Sequence, residues 1–409
     1  MSWPVKPLGE VADTALGKML DKGRDSGKPR VQYLRNVNVQ WGRIDADDLL
    51  SMELADAELE RFEVLEGDLL VCEGGEIGRC AIWRGRPEYI AFQKALHRIR
   101  PSAVLNVRFL RYLLEHQANN GTLAAFATGS TIAHLPQQQL RRIPVPLPPS
   151  DEQHRIVEIL EDHLSRLNSA NAALDRCARR VSAMKDVFLA RCVRELSSVN
   201  GTQVVPLGQI SQVLTGATPL RSNSDFYLNG TIPWITSGDL HQGRVTKPSQ
   251  FVTEAALART NIKLVPAGSL LIAMYGEGRT RGTVAELGID ATTNQACAAV
   301  VLDDPELRAW VRLVLDANYT AMRRMAAGGV QPNLNLSLVR SIEVPIPPES
   351  IRATLLGKLD ELNASRERLS AELSAAKMRS NRLRGAILSA AFSGRLTGSS
   401  AELRKVESV

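Results

Sequence analysis

From residue 156 to residue 188, a stripe of positions recurs in alternating steps of four and three: Ile156, Leu160, His163, Leu167, Ala170, Leu174, Cys177, Val181, Met184 and Phe188. A second series, Leu355, Leu359, Leu362, Arg366, Leu369, Leu373, Ala376, Ser380, Leu383 and Ile387, places every member 199 positions after its counterpart. This spacing gathers one stripe on one helix face, and so long a stripe predicts a coiled-coil helix. The two arms cover about 151–191 and 351–390, roughly 60 Å each at 1.5 Å per residue, too long for helices of a domain core. Ser150 with Gln153 makes a capping box at the first arm; in the second, Ser350 can cap while Ala353 cannot reciprocate.

Outside the arms the period changes. Leu69-Leu70-Val71-Cys72 and Leu270-Leu271-Ile272-Ala273 are short apolar runs bounded by glycine and predict strands, as does 142–147 up to its prolines. Residues 107–117 and 307–324 have helical spacing. The fold class is therefore α+β: two tandem mixed heads separated by two long antiparallel coiled-coil helices, in a pseudo-two-fold internal repeat.

The repeat reaches into the heads. Pro7-Leu8-Gly9 and Gly17 answer Pro206-Leu207-Gly208 and Gly216 at the same offset of 199. Gly42-Arg43-Ile44 recurs as Gly243-Arg244-Val245, Gly67-Asp68-Leu69-Leu70 as Gly268-Ser269-Leu270-Leu271, and Phe92-Gln93 as Asn294-Gln295, the offset drifting to 201 and 202 through short loop insertions. It returns to 199 at Gly129 and Gly328, ahead of the exit strands 142–149 and 341–348. The expected boundaries are 1–149 for the first head, 150–196 for its arm, 197–349 for the second head, 350–396 for its arm and 397–409 for a tail. Arms of equal length and matching phase favour pairing within one chain over pairing between two molecules. Antiparallel pairing would turn the duplication into a two-fold axis like those of duplex DNA, and the arms would then fix the distance between two half-sites.

Composition adds limits. The chain has 409 residues and 44% hydrophobic content, enough for two or three domains with real cores. No apolar run approaches the ~20 residues that span a bilayer and no apolar stretch follows Met1-Ser2-Trp3, so a cytoplasmic protein without membrane partners is expected. Cys72, Cys80, Cys177, Cys192 and Cys297 show no CxxC pairing or zinc spacing and read as reduced thiols. The net charge of +6 is concentrated on the second arm, where nine basic residues face four acidic ones between 350 and 396. Neither head binds DNA by bulk charge, so any contact must come from local clusters.

Several motifs together resemble the specificity (S) subunit of type I restriction-modification systems. They are Ile143-Pro144-Val145-Pro146-Leu147-Pro148-Pro149-Ser150-Asp151-Glu152-Gln153 leading into a helix, Met274-Tyr275-Gly276-Glu277-Gly278-Arg279-Thr280-Arg281-Gly282 followed by Thr293-Asn294-Gln295-Ala296-Cys297, and 383–396 with its Ala390-Ala391-Phe392-Ser393-Gly394 ending. The resemblance covers essentially the whole chain. The first arm departs from the ending, with Leu189-Ala190-Arg191-Cys192-Val193 where the second has Leu388-Ser389-Ala390-Ala391-Phe392. The resemblance implies two target recognition domains, each reading half of a bipartite site in double-stranded DNA. It also implies long helices that dock two methyltransferase (modification) subunits, with restriction and translocase subunits joining that core. S-adenosylmethionine, ATP and Mg are then expected in the partner subunits and no cofactor or metal in this chain. The residues agree on the missing chemistry: there is no Asp/Asn-Pro-Pro-aromatic motif and no GxxxxGK loop, Leu16-Gly17-Lys18 lacking its upstream glycine. The chain is expected to be non-catalytic.

Candidate DNA contacts follow from base-edge and phosphate chemistry. In the first head they are Lys18, Lys22 and Arg24 in a basic run, Arg79 in the Gly-rich turn 73–79, Gln93 and Lys94, and Ser130, Thr131 and His134 ahead of the exit strand. In the second they are Arg221, Tyr275, Arg279 and Arg281 in a glycine-bounded loop, Asn294 and Gln295, and Gln331 and Asn333. For each a structural role competes: a solvated turn for the arginines, a loop-bracing amide for Gln93 and Gln295, a structural imidazole for His134. Trp41, Trp83 and Trp234 read as core. On the arms, Ile156, Leu160, Leu167, Leu174, Leu355, Leu359, Leu362, Leu369, Leu373 and Phe392 are expected in the coiled coil or in partner docking, His163 and Arg366 in setting register or in meeting a partner subunit. Lys377, Arg379, Arg382 and Arg384 face solvent, DNA backbone or an acidic partner.

Overall fold

A computed structural model describes residues 3–20, 29–85, 88–129, 133–196, 199–276, 280–325 and 333–397. The chain divides into two compact units, Met1–Asp175 with Ser374–Val409, and Arg176–Leu373. The division falls inside both arms, which are single helices, Ser150–Leu196 and Glu349–Phe392.

In the first unit a four-stranded antiparallel sheet runs in the order Ala12–Leu16, Leu96–Pro101, Leu69–Cys72, Cys80–Ile82. A three-stranded sheet places Arg30–Leu34 between Leu50–Glu53, antiparallel, and Ile90–Phe92, parallel. The run Leu69-Leu70-Val71-Cys72 lacks alternation because both its faces are covered. Leu69 and Val71 pack toward the helix Val107–Asn119, whereas Leu70 and Cys72 join the core shared with the three-stranded sheet. Among the described residues the exit strand Pro144–Pro146 pairs only with Val5–Pro7, an edge ribbon where proline's missing N–H is tolerated.

The second unit repeats this plan. Its five-stranded sheet is ordered Gln212–Thr215, Cys297–Val301, Leu270–Ala273, Val284–Leu287, Arg244–Val245, and a three-stranded sheet sets Ile232–Ile235 between Gln250–Val252 and Thr292–Thr293. Leu270 and Ile272 face one core, Leu271 and Ala273 the other. The helix expected over 307–324 is broken at Asn318 into Pro305–Ala317 and Tyr319–Met325.

Each head core also takes in both arms. In the first unit Ile156, Val157, Leu160 and Leu164 of the first arm meet Ile387, Leu388, Ala390 and Ala391 of the second. The pairing there is antiparallel: Asp175 is ion-paired with Lys377, Arg384 donates to Asn168, and Thr397 donates to Glu152. In the second unit Leu189 and Leu196 share a core with Ile351, Leu355 and Leu359. Phe392 packs, partly buried, against the core of the first unit, edge-on to Phe109 and stacked on His116, both with ring centroids 5.3 Å away.

The predicted stripe needs three corrections. Leu164, 3% exposed, takes the place expected for His163, and Ala170 and Cys177 are exposed. Leu167, Leu174, Leu355, Leu359, Leu362 and Leu373 are half-buried, and Leu369 is 39% exposed, because paired helices without a third layer shield only one face. The capping box does not form. Gln153, 1% exposed, donates to the carbonyls of Pro148 and Val104 at 2.9 Å and accepts from the Asn106 amide at 2.8 Å, fastening the arm to the head. Ser350 lies within its helix, which starts at Glu349.

Candidate nucleic-acid interface

Backbone hydrogen bonds draw the candidate loops of the first head to one corner. Gly17 crosses the end of the strand Ile90–Phe92, so that the Lys18 amide donates to Phe92 at 3.0 Å and the Lys94 amide to Lys18 at 2.9 Å. A Cβ on Gly17 would lie 2.3 Å from the Gln93 carbonyl oxygen, so only glycine permits this crossing. Next, the Glu73 amide donates to Ala95 at 3.0 Å and the Leu135 amide to Glu73 at 2.7 Å, while His134 and Thr128 exchange a reciprocal pair at 2.8 Å. Lys18, the turn 73–79, Gln93, Lys94 and His134 thereby share one edge.

The second head builds the same corner with different side chains. Ala217 donates to Thr293 at 3.1 Å, Met274 to Ala296 at 2.7 Å and Leu334 to Met274 at 3.0 Å. This register corrects the sequence match. The Gln93 amide donates to Leu34 and the Asn294 amide to Ile235, so Gln93 corresponds to Asn294 and Lys94 to Gln295, at a constant offset of 201. Arg79, whose carbonyl accepts from Cys72, corresponds to Thr283, which accepts from Ala273, because the second turn is three residues longer.

The side chains divide into braces and exposed groups. Arg79 turns inward, donating to the Asn36 side chain at 2.6 Å and its carbonyl at 3.1 Å. Asn36 in turn donates to Gly74 at 2.9 Å. Lys18 is ion-paired with Glu58 and lies 5.8 Å from the Phe62 ring centroid. Asn294 accepts from the Ala296 amide at 3.0 Å, closing its own turn. Gln93 is half-buried, as are Tyr275, Arg281 and Asn333; the Arg281 carbonyl accepts from Arg323 at 3.1 Å. Lys94, His134, Gln295 and Arg221 are exposed. Gln295 accepts a hydrogen bond from Thr218, and the Arg221 guanidinium lies 5.3 Å from the Trp234 ring centroid and 5.6 Å from that of Tyr227. Lys22, Arg24, Ser130, Thr131, Arg279 and Gln331 lie outside the described residues.

Sequence reasoning missed Asn36, Thr218 and His241, whose ring nitrogen pairs with Thr280 at 3.1 Å. Thr218 was within reach, since it follows Gly216 as the basic run follows Gly17. His241 and Asn36 carry no local signal. Trp83 and Trp234 are core, 6% and 0% exposed, whereas Trp41 is half-buried and donates to Glu76 at 2.6 Å. Burial raises the Cys72 and Cys80 thiols above their ordinary value and pushes Cys297 up to about 12, which leaves these sulfurs protonated and poorly nucleophilic. Among the described residues no group of three or more His, Cys, Asp or Glu is arranged to hold a metal, and no helix is long and apolar enough to cross a membrane.

One brace should make the first head sensitive to acid. His97 is fully buried with Nε2 2.7 Å from the Leu135 carbonyl, and burial holds its pKa below the ordinary value, with that hydrogen bond opposing the shift. The unfolded chain binds a proton at His97 near pH 6.5 and the native chain only at lower pH. Stability from the neutral ring is thus present above about pH 6.5 and is lost as pH falls through the interval down to the native value. The wild-type Tm should fall on acidification from pH 7.5 to 5, and His97→Gln, less stable at pH 7.5, should lose less over that range. Parallel losses in the two proteins would remove His97 from this role.

The family description Type I restriction modification DNA specificity domain matches residues 2–174 and 200–375. The specificity subunit of the Type I restriction enzyme EcoR124I/EcoR124II of Escherichia coli is 24% identical over 231 residues, 54% of this chain and 56% of that protein. The chain thus spans about half the length of this relative. The specificity subunit of the Type I restriction enzyme EcoKI of Escherichia coli (strain K12) is 19% identical over 423 residues, covering 97% and 89% of the two chains. A solved chain from work on complex assembly and conformational transition of the type I R-M system superposes with a TM-score of 0.73 at 16% identity, covering 96% of this chain and 98% of that one. At that identity the likeness shows a shared fold.

Proposed function

This chain belongs to the type I restriction-modification DNA specificity family, and from that premise we propose that it is the non-catalytic subunit that reads a bipartite DNA site for a modification and restriction complex. The corner built twice, with the same backbone bonds and different exposed side chains, is the observation that carries this reading. Two unlike readers on one scaffold suit two unlike half-sites. Residues 1–149 and 197–349 serve as target recognition domains, 150–196 and 350–396 as arms that set the half-site spacing, and 397–409 as a tail. Lys94 and His134 read or position the first half-site, and Gln295, Thr218 and Arg221 the second, where an amide can address adenine and a guanidinium guanine or phosphate. Arg79 and Asn294 act one step back, shaping the loops.

Methyltransferase subunits dock on the outward faces of the arms, where Arg379 and Arg382 are exposed, while Ile156, Leu160, Ile387 and Leu388 are taken up in the core of the first unit. S-adenosylmethionine, ATP and Mg belong to the modification and restriction subunits. Footprinting of the partner-loaded complex tests the assignment. Gln295→Ala with Arg221→Ala should weaken protection of one half-site by about tenfold or more, and Lys94→Ala with His134→Ala the other. Methylation of DNA by the purified chain alone, or protection lost equally from both half-sites, would overturn it.

A further inference from the structure

Each head helix carries a basic and an acidic residue one turn apart, and in each the acid reaches an arm supplied by the opposite copy of the repeat. In the first unit Glu115, its side chain 4% exposed, sits between Arg111 at 3.0 Å on its own helix and Arg384 at 2.6 Å on the second arm. In the second unit Asp316, 18% exposed, sits between Arg312 at 3.3 Å on its own helix and Lys185 at 2.8 Å on the first arm. The correspondence is residue by residue: Arg111 with Arg312 and Glu115 with Asp316 at an offset of 201, Lys185 with Arg384 at 199. The inner arginine also meets the matched glycine turn. Arg312 donates to the Gly243 carbonyl at 3.2 Å, and Arg111 lies so close to Gly42 that a Cβ there would be 2.6 Å from its Nη2.

We infer that these are paired clamps, and that Glu115 and Asp316 are positioning residues which fix the rotation of each head on its arms and so hold its reading edge in phase with the DNA. Side chains on apolar faces can slide or rotate at small cost, whereas a carboxylate withdrawn from water, fully at Glu115 and partly at Asp316, keeps both of its cations in one arrangement only. The acid of each clamp comes from a head and one base from the arm of the other copy, so a head keeps its clamp only while both arms stay in register. Substitution of the arm base, lysine in one clamp and arginine in the other, keeps the charge and alters only the fork geometry. The specificity role rests on the function proposed above.

The test uses the full chain with Cys177, the one exposed cysteine, replaced by serine. Spin labels at Val37→Cys on the first head, 61% exposed, and Arg382→Cys on the second arm report the width of one distance distribution within the first unit. The parent and Arg384→Lys should give one narrow distance, and Glu115→Gln and Arg384→Met should broaden it about twofold while the chain stays folded. Arg384→Met keeps the Arg111–Glu115 pair and decides the matter if Glu115→Gln does not fold. In the partner-loaded complex, without labels, Glu115→Gln and Asp316→Asn should each reduce discrimination against a gap one base pair longer by about tenfold, leaving the half-site bases unchanged. Unchanged widths, or unchanged gap discrimination, overturn the inference. A wild-type complex that protects no half-sites would defeat the functional reading, and the spin-label widths would still decide whether the clamp positions the head.

Discussion

Alanine at Gly216 should cost the second head upwards of ~3 kcal/mol, lowering its Tm by roughly 6–12 °C. Gly216 lies where the chain passes over the strand Thr292–Thr293, and its missing Cβ would meet the Thr293 carbonyl oxygen at 1.7 Å and the carbonyl carbon at 2.3 Å. Both threonines are fully or almost fully buried, so no flexible side chain can yield and the backbone itself must part. The same crossing places Ala217, and with it exposed Thr218, beside Gln295, so the reading edge opens with the fold. Gly357→Ala is the control. Nothing lies within 4 Å of the Cβ it would add, and inside a helix alanine gains up to about 1 kcal/mol over glycine. Hydrogen exchange should show Leu270–Ala273 and Cys297–Val301 losing protection in Gly216→Ala while Leu69–Cys72 keeps it. A Gly216→Ala protein within ~1 kcal/mol of the parent would mean that the crossing relaxes freely.

Leu388→Asp should unfold the first head, although it lies on the arm that follows the second head in sequence. Leu388 is 0% exposed, and its neighbours Ala390, Ala391 and Leu396 are equally enclosed in the core that also contains Leu69, Val71 and Ile99. A carboxylate there would enter an apolar core; the loss of Leu packing, ~2–5 kcal/mol, is joined by the cost of burying or neutralising the charge. Exchange should accelerate in Leu69–Cys72 and Leu96–Pro101 and stay slow in Leu270–Ala273. Leu189→Asp, 2% exposed in the core of the second unit, should give the reverse pattern. Loss of protection confined to Arg176–Leu373 in Leu388→Asp would contradict the place of the second arm's end in the core of the first unit.

The departure that stands out in the sequence, Ala391-Phe392 against Cys192-Val193, has a local cause. Phe392 fills space beside Phe109 and His116, whereas the first arm ends with Leu189, Cys192 and Leu196 buried. Different head cores ask for differently shaped plugs. The four basic residues near the end of the second arm show how far composition misleads: Lys377 and Arg384 are spent on Asp175 and Glu115, while Arg379 and Arg382 are exposed. Charge density in a sequence does not say which members have a partner folded beside them. Arg79 is the same lesson in a loop, since a guanidinium beside glycines is as fit for a neighbouring carbonyl as for a phosphate.

The sequence by itself determined the two arms, the duplication, the α+β class and the strands at Leu69–Cys72 and Leu270–Ala273, because helical and strand periods and glycine spacing are written locally. It also carried enough motif to indicate the family. Tertiary structure decided which arm end completes which core, that Gln93 corresponds to Asn294, that Gln153 fastens a head, and that Glu115 and Asp316 each draw a base from the opposite copy. These depend on long-range register and on desolvation. Residues far apart in the chain acquire a partner, or lose water, only once the antiparallel arms and the crossed strands have closed around them.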